Sequence, residues 1–71
     1  MADPTAVIHR DPEILGGTPV FVGTRVPAEA LTDYLAAGRS LADFLDDFPS
    51  VTREQALGAL AVARDALLAA A

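Results

Sequence analysis

The 71-residue chain contains no cysteine and no lysine, and none of its apolar runs approaches the length of a membrane span. Without thiols, neither a disulfide nor a thiolate metal site can staple the fold. Without a run of about 18 apolar residues, no transmembrane helix is expected. No signal-peptide pattern opens the chain, so the expected location is cytoplasmic. Positive charge is scarce. All five basic residues are arginines (Arg10, Arg25, Arg39, Arg53 and Arg64) against ten acidic residues, for a formal net charge of −5. Such a chain repels nucleic acid overall, so DNA binding needs a locally basic face, and a basic protein partner fits the charge more easily. A single domain, residues 1–71, is expected, and at this size it buries only about 60% of its unfolded surface. The hydrophobic fraction is nonetheless 52%, much of it alanine. Small size, no staple and excess apolar surface favour oligomerisation or a protein partner.

The chain is rich in breakers over one stretch. Leu15 to Pro27 holds Gly16, Gly17 and Gly23 with Pro19 and Pro27, a density that no helix tolerates. Asp11-Pro12-Glu13 ahead of it reads as a turn. Between the breakers, Val20, Phe21 and Val22 make the best strand in the chain. So short a strand must pair with Val7-Ile8, with a second copy of the chain, or with both. Residues 7–26 are thus expected as a β/turn element, and 1–6 as a frayed terminus.

From Pro27 the period becomes helical, and residues 27–71 are expected as a three-helix unit. Pro27 suits a first helical position. Leu31, Tyr34, Leu35 and Gly38 follow a core-facing stripe, and Gly38 is a left-handed stop. Ser40 with Asp43 begins a second helix whose stripe is Leu41, Phe44, Leu45 and Phe48, ended by Pro49. Thr52 with Gln55 forms a capping box for a third helix, with Val51 and Ala56 as a hydrophobic staple. Helices of about 11, 7 and 18 residues follow from these caps and breakers. On the third, Glu54, Gly58 and Asp65 share a narrow stripe. Leu57, Leu60, Leu67 and Leu68, continued by Ala59, Val62, Ala66 and Ala70, form an apolar arc wider than one small core needs. It is either an alanine-rich surface of little consequence or a partner-binding helix.

A short helix, a turn and a longer helix match a helix-turn-helix layout, whose last helix presents its first turn to the DNA major groove. Here that turn offers Arg53, which bonds guanine bidentately, and Gln55, which pairs with adenine. Arg39 and Ser40 are placed to hold phosphates at a helix N-terminus. Against this, Thr52 and Gln55 are already explained as caps, Arg53 as a solvated side chain, and Asp43, Asp46, Asp47 and Glu54 oppose phosphate. Catalysis is not expected. A metal reading of His9, Asp11 and Glu13 is weaker than the turn reading, Asp46 and Asp47 diverge on a helix, and the glycine pairs match no phosphate loop. No cofactor is expected.

Taken together, Asp11-Pro12, Gly17-Thr18-Pro19, Gly23-Thr24-Arg25-Val26-Pro27, Gly38, Phe48-Pro49 and Thr52 resemble the pattern of the family known as domain of unknown function 433, over Ile8 to Ala63. Two positions depart from it. Thr18 stands where lysine is usual, and Val62 where an aromatic is common. The resemblance implies a mainly α fold, a homeodomain-like helix-turn-helix with a short N-terminal β element. It also implies an antitoxin of a type II toxin–antitoxin pair, similar to VapB-type proteins, that neutralises a PIN-like ribonuclease toxin and represses its own operon as a DNA-binding homodimer. On that reading Arg25, Arg39, Ser40, Arg53 and Gln55 contact operator DNA. Leu57, Val62, Leu67 and Leu68 contact the toxin, and Val20, Phe21 and Val22 join two copies. Arg25 has a second reading, as the partner of a carboxylate that ties the β element to the helices. The alternative function is a protein-interaction module that does not bind DNA.

Overall fold

A computed structural model describes residues 7–70; the expected frayed terminus over 1–6, and Ala71, lie outside the described residues. The described chain is mainly helical, with three helices and a small antiparallel sheet. Strand β1 is Ile8–His9 and strand β2 is Val20–Phe21, with a 3-10 turn at Leu15–Gly17 between them. Helices α1 (Glu29–Ala36), α2 (Leu41–Asp47) and α3 (Arg53–Ala70) follow. No described helix is long and apolar enough to cross a membrane.

The sheet is closed within one chain. Ile8 faces Phe21 and His9 faces Val20, and the Val22 N–H extends the pairing to the Val7 carbonyl at 2.9 Å. On its other edge β2 meets the approach to α1. Phe21 N–H donates to the Val26 carbonyl at 3.0 Å and Ala28 N–H to the Pro19 carbonyl at 2.9 Å, bridging Val20 to Pro27. Both edges of β2 are therefore occupied, and Val20 and Phe21 are 0% exposed. Of the two pairings open from sequence, within a chain or between copies, the within-chain one is formed here, and of Val20, Phe21 and Val22 only Val22, at 36%, is exposed. The same bridge explains why α1 starts at Glu29 rather than at Pro27: Pro27 is itself held in the pairing with Val20. The 3-10 turn was not expected. It places Leu15 at φ 50, a left-handed conformation that costs a non-glycine residue about 1–2 kcal/mol.

The turn after β2 shows what the Gly23-Thr24-Arg25 signature is for. Thr24 N–H bonds back to the Phe21 carbonyl at 3.0 Å, and Gly23 takes φ 77 at the position where such a turn needs a positive angle. The buried Thr24 hydroxyl donates to the Phe21 carbonyl at 2.9 Å and accepts from Val26 N–H at 3.0 Å. Glycine and threonine thus build the turn, and Arg25 is the residue left facing out.

The helix boundaries follow from local chemistry. Gly38, at φ 81, ends α1 with two back-bonds: Arg39 N–H to the Tyr34 carbonyl at 2.9 Å and Gly38 N–H to the Leu35 carbonyl at 3.0 Å. This pair is the Schellman closure. Both capping boxes form. Asp43 N–H bonds Ser40 Oγ at 3.1 Å with Ser40 N–H on Asp43 Oδ2 at 3.3 Å. Gln55 N–H bonds Thr52 Oγ1 at 3.1 Å with Thr52 N–H on Gln55 Oε1 at 3.0 Å.

The core is Phe21, Leu31, Phe44, Val51 and Ala56. Every aromatic side chain of the sequence meets there. Phe44 lies 6.0 Å from Phe21, 5.5 Å from Tyr34 and 5.0 Å from Phe48, ring centre to ring centre. The Tyr34 pair is edge-on, the arrangement that the ring quadrupoles favour. Helix α3 enters the core only near its start, through buried Ala56 and half-buried Ala59 and Leu60. Its 18 residues span about 27 Å, so its later turns pass beyond the core. Gly58 was expected on a polar stripe. It sits instead against Val7, where a Cβ would meet Val7 Cγ1 at 2.9 Å.

Candidate functional site

Two faces carry the residues singled out from sequence. The first is the end of the molecule formed by the starts of α2 and α3. At α2, Arg39 Nε lies 3.3 Å from Asp43 Oδ2 and Arg39 Nη2 lies 3.8 Å from Asp47 Oδ2. The guanidinium sits 5.2 Å over the Tyr34 ring, and the Tyr34 hydroxyl donates to Asp47 Oδ2 at 2.7 Å. The Ser40 N–H and then the Arg39 guanidinium hold the Asp43 carboxyl below the usual carboxylate range. The acceptance of a hydrogen bond by Asp47 is the first cause that pushes the Tyr34 phenol up. A phosphate arriving at this helix start meets two carboxylates and an arginine that they already neutralise. The Ser40 hydroxyl is committed to the cap.

At α3, the Gln55 side chain is spent at both ends. Its Oε1 accepts from Thr52 N–H, and its Nε2 donates to the Val22 carbonyl at 2.8 Å. Arg53 is exposed, with no ion pair or hydrogen bond from its side chain among the described residues, and Arg25 is in the same state. The structure thus leaves Arg25 and Arg53 free from the predicted DNA set, and commits Arg39, Ser40 and Gln55 to the fold. The alternative reading of Arg25, an internal tie to a carboxylate, has no partner among the described residues.

The second face is the outward side of α3. Leu57, Leu67 and Leu68 are 47%, 73% and 69% exposed. At about 100° per residue, Leu57 and Leu68 point within ~20° of each other, and Leu67 flanks them. Arg64 lies on the same arc, its Nη2 3.2 Å from Asp65 Oδ1. Val62, grouped with these leucines from sequence, points ~140° away from Leu57. It lines instead an apolar groove of about 300 Å³ between α3 and α1, with Ile8, Ala28, Leu31, Ala59 and Ala66 among its walls. The outward leucines and the groove are therefore adjacent but distinct surfaces.

A third feature was missed from sequence. A cleft of about 610 Å³ opens between β1, the Gly23–Pro27 turn and the end of α2, and His9, Arg25 and Phe48 are among its walls. The His9 Nε2 is buried and has no hydrogen-bond partner among the described residues. No spacing along the chain links residues 9, 25 and 48, so no local pattern signalled the cleft. Nor do three His, Cys, Asp or Glu side chains come together at metal-binding distances among the described residues. Asp11 accepts from Glu13 N–H at 2.9 Å, as the turn reading requires.

Residues 8–63 match the family described as "Protein of unknown function (DUF433)". The chain is also similar to the "Uncharacterized protein y4eO" of Sinorhizobium fredii (strain NBRC 101917 / NGR234), 43% identical over 49 residues, which are 69% of this chain and 22% of that protein. The chain thus spans less than a quarter of the curated relative it matches. No solved structure matches it.

Proposed function

Since the chain belongs to the DUF433 family, we propose that it is an antitoxin-like protein whose last helix binds and neutralises a PIN-like ribonuclease toxin. The observation that carries this reading is the exposure of three leucines on α3: Leu57 beside the core, and Leu67 and Leu68 on turns that run past it. Burying a leucine contributes roughly 1.5–3 kcal/mol, so covering three is a substantial drive for association. The net charge of −5 favours a partner with a basic rim. Co-purification of the tagged chain with the product of the adjacent gene tests the proposal. The wild type retains that product, and a Leu67→Glu/Leu68→Glu variant with unchanged helicity loses it. Failure of the wild type to retain it, or equal retention by the variant, overturns the proposal.

A second activity, repression of its own operon by a homodimer with a homeodomain-like helix-turn-helix, is favoured by one observation. Arg53, the first residue of α3, is exposed and uncommitted. The neighbouring carboxylates and the commitment of Gln55 weigh toward a module that binds protein only. A mobility shift on the chain's own upstream DNA, with and without the partner, separates the two. A shift abolished by Arg53→Ala supports the repressor, and no shift in either condition leaves the protein-binding module.

A further inference from the structure

We propose that the cleft walled by His9, Ile14, Arg25, Val26, Pro27 and Phe48 binds a carboxylate carried on an apolar body. Its volume of about 610 Å³ falls in the range of ligand sites, roughly 300–1,000 Å³, and apolar walls with a few polar groups are their usual lining. Two polar groups at this cleft lack partners. The His9 Nε2 is buried with none among the described residues. Leaving such an atom unpaired costs about 1–3 kcal/mol, and folded proteins rarely do so without a ligand or water to satisfy it. Arg25 is exposed and pairs with no carboxylate among the described residues, in a chain with ten acidic residues to five basic ones.

The chemistry selects the ligand. The guanidinium fork takes both oxygens of a carboxylate, and the His9 ring, whose Nε2 is buried behind the cleft wall, adds a third bond once it turns toward the ligand. One guanidinium balances one negative charge, and Ile14, Val26, Pro27 and Phe48 suit an aromatic or aliphatic remainder better than a hydrated dianion. The site is also held in place. The Thr24 hydroxyl locks the turn that carries Arg25, and β1 pairing holds His9 opposite Val20, so the backbone of both residues is set before binding and the ligand orders their side chains alone. The cleft lies apart from the exposed α3 leucines, and it stands or falls independently of toxin binding.

The test is an NMR titration of the full chain with benzoate, with the free-acid tripeptide Ala-Ala-Phe, and with benzyl alcohol and the tripeptide amide as uncharged controls. Saturable shifts are expected for the acids at the Gly23–Val26 amides and the His9 ring. The tighter of the two acids assigns the source, a free small acid or a chain terminus. Arg25→Gln, whose side chain holds nothing else in the fold, keeps the wild-type melting temperature and weakens the acids at least tenfold. His9→Phe keeps a ring but no Nε2 and weakens them as well. Shifts that never saturate, that fall elsewhere, or that persist with equal affinity in Arg25→Gln overturn the proposal.

Discussion

Gln55 Nε2 donates to the Val22 carbonyl at 2.8 Å, joining the first turn of α3 to the turn after β2. The same amide caps α3 through Thr52. One side chain thus couples a local task, starting a helix, to a long-range one, seating that helix on the sheet.

This coupling makes Gln55→Glu more informative than removal of the side chain. Glutamate still accepts from Thr52 N–H, but it has no donor for Val22 and sets a negative charge against that carbonyl. At neutral pH, Gln55→Glu lowers stability by about 1–2 kcal/mol in urea unfolding. The deficit, relative to wild type at the same pH, shrinks toward pH 4 as the carboxyl gains a proton and becomes a donor.

Thr24→Val keeps the shape of the side chain and deletes the hydroxyl that bonds both the Phe21 carbonyl and Val26 N–H. The site is buried, so the loss is about 2–3 kcal/mol, read as a lower melting temperature. Thr24→Ser keeps both bonds and loses about 1 kcal/mol or less with the methyl group.

Gly58→Ala would normally stabilise a helix interior by about 1 kcal/mol. Here the new methyl group meets Val7 Cγ1 at 2.9 Å, and a β-branched side chain has little freedom to step aside. The expected net effect is zero or a loss. In the Val7→Ala background the same substitution stabilises, and a double-mutant cycle by chemical denaturation reads the coupling.

The two shifted groups act at opposite ends of the pH scale. The Asp43 carboxyl is depressed, first by the Ser40 N–H. Its stabilisation is present above the free-aspartate value near 3.9 and is lost as pH falls through the lower folded value. Asp43→Asn flattens that acid limb. The Tyr34 phenol is raised, first by its bond to Asp47. Its contribution is complete below about 10 and is lost as pH rises through the higher folded value. Tyr34→Phe flattens the alkaline limb. Melting temperatures across pH check both.

Local chemistry made much of this protein legible from sequence. Ser40 with Asp43 and Thr52 with Gln55 fixed two helix starts, Gly38 and Pro49 fixed two ends, and Asp11 fixed a turn. Each rests on bonds between residues a few positions apart, which the chain carries wherever it goes. The family resemblance over Ile8 to Ala63 rested on the same punctuation, and the family match covers residues 8–63. Tertiary structure decided which side chains remain available. It committed Gln55 to the Val22 carbonyl, 33 positions away, and left Arg25 and Arg53 exposed. It closed both edges of β2, so that Val20 and Phe21 are buried within one chain. It set Gly58 against Val7, seated Val62 in a groove with Ile8 and Leu31, and brought His9, Arg25 and Phe48 around one cleft. These outcomes depend on contacts between residues far apart in sequence, and no local periodicity encodes which of several equivalent polar groups such a contact will consume.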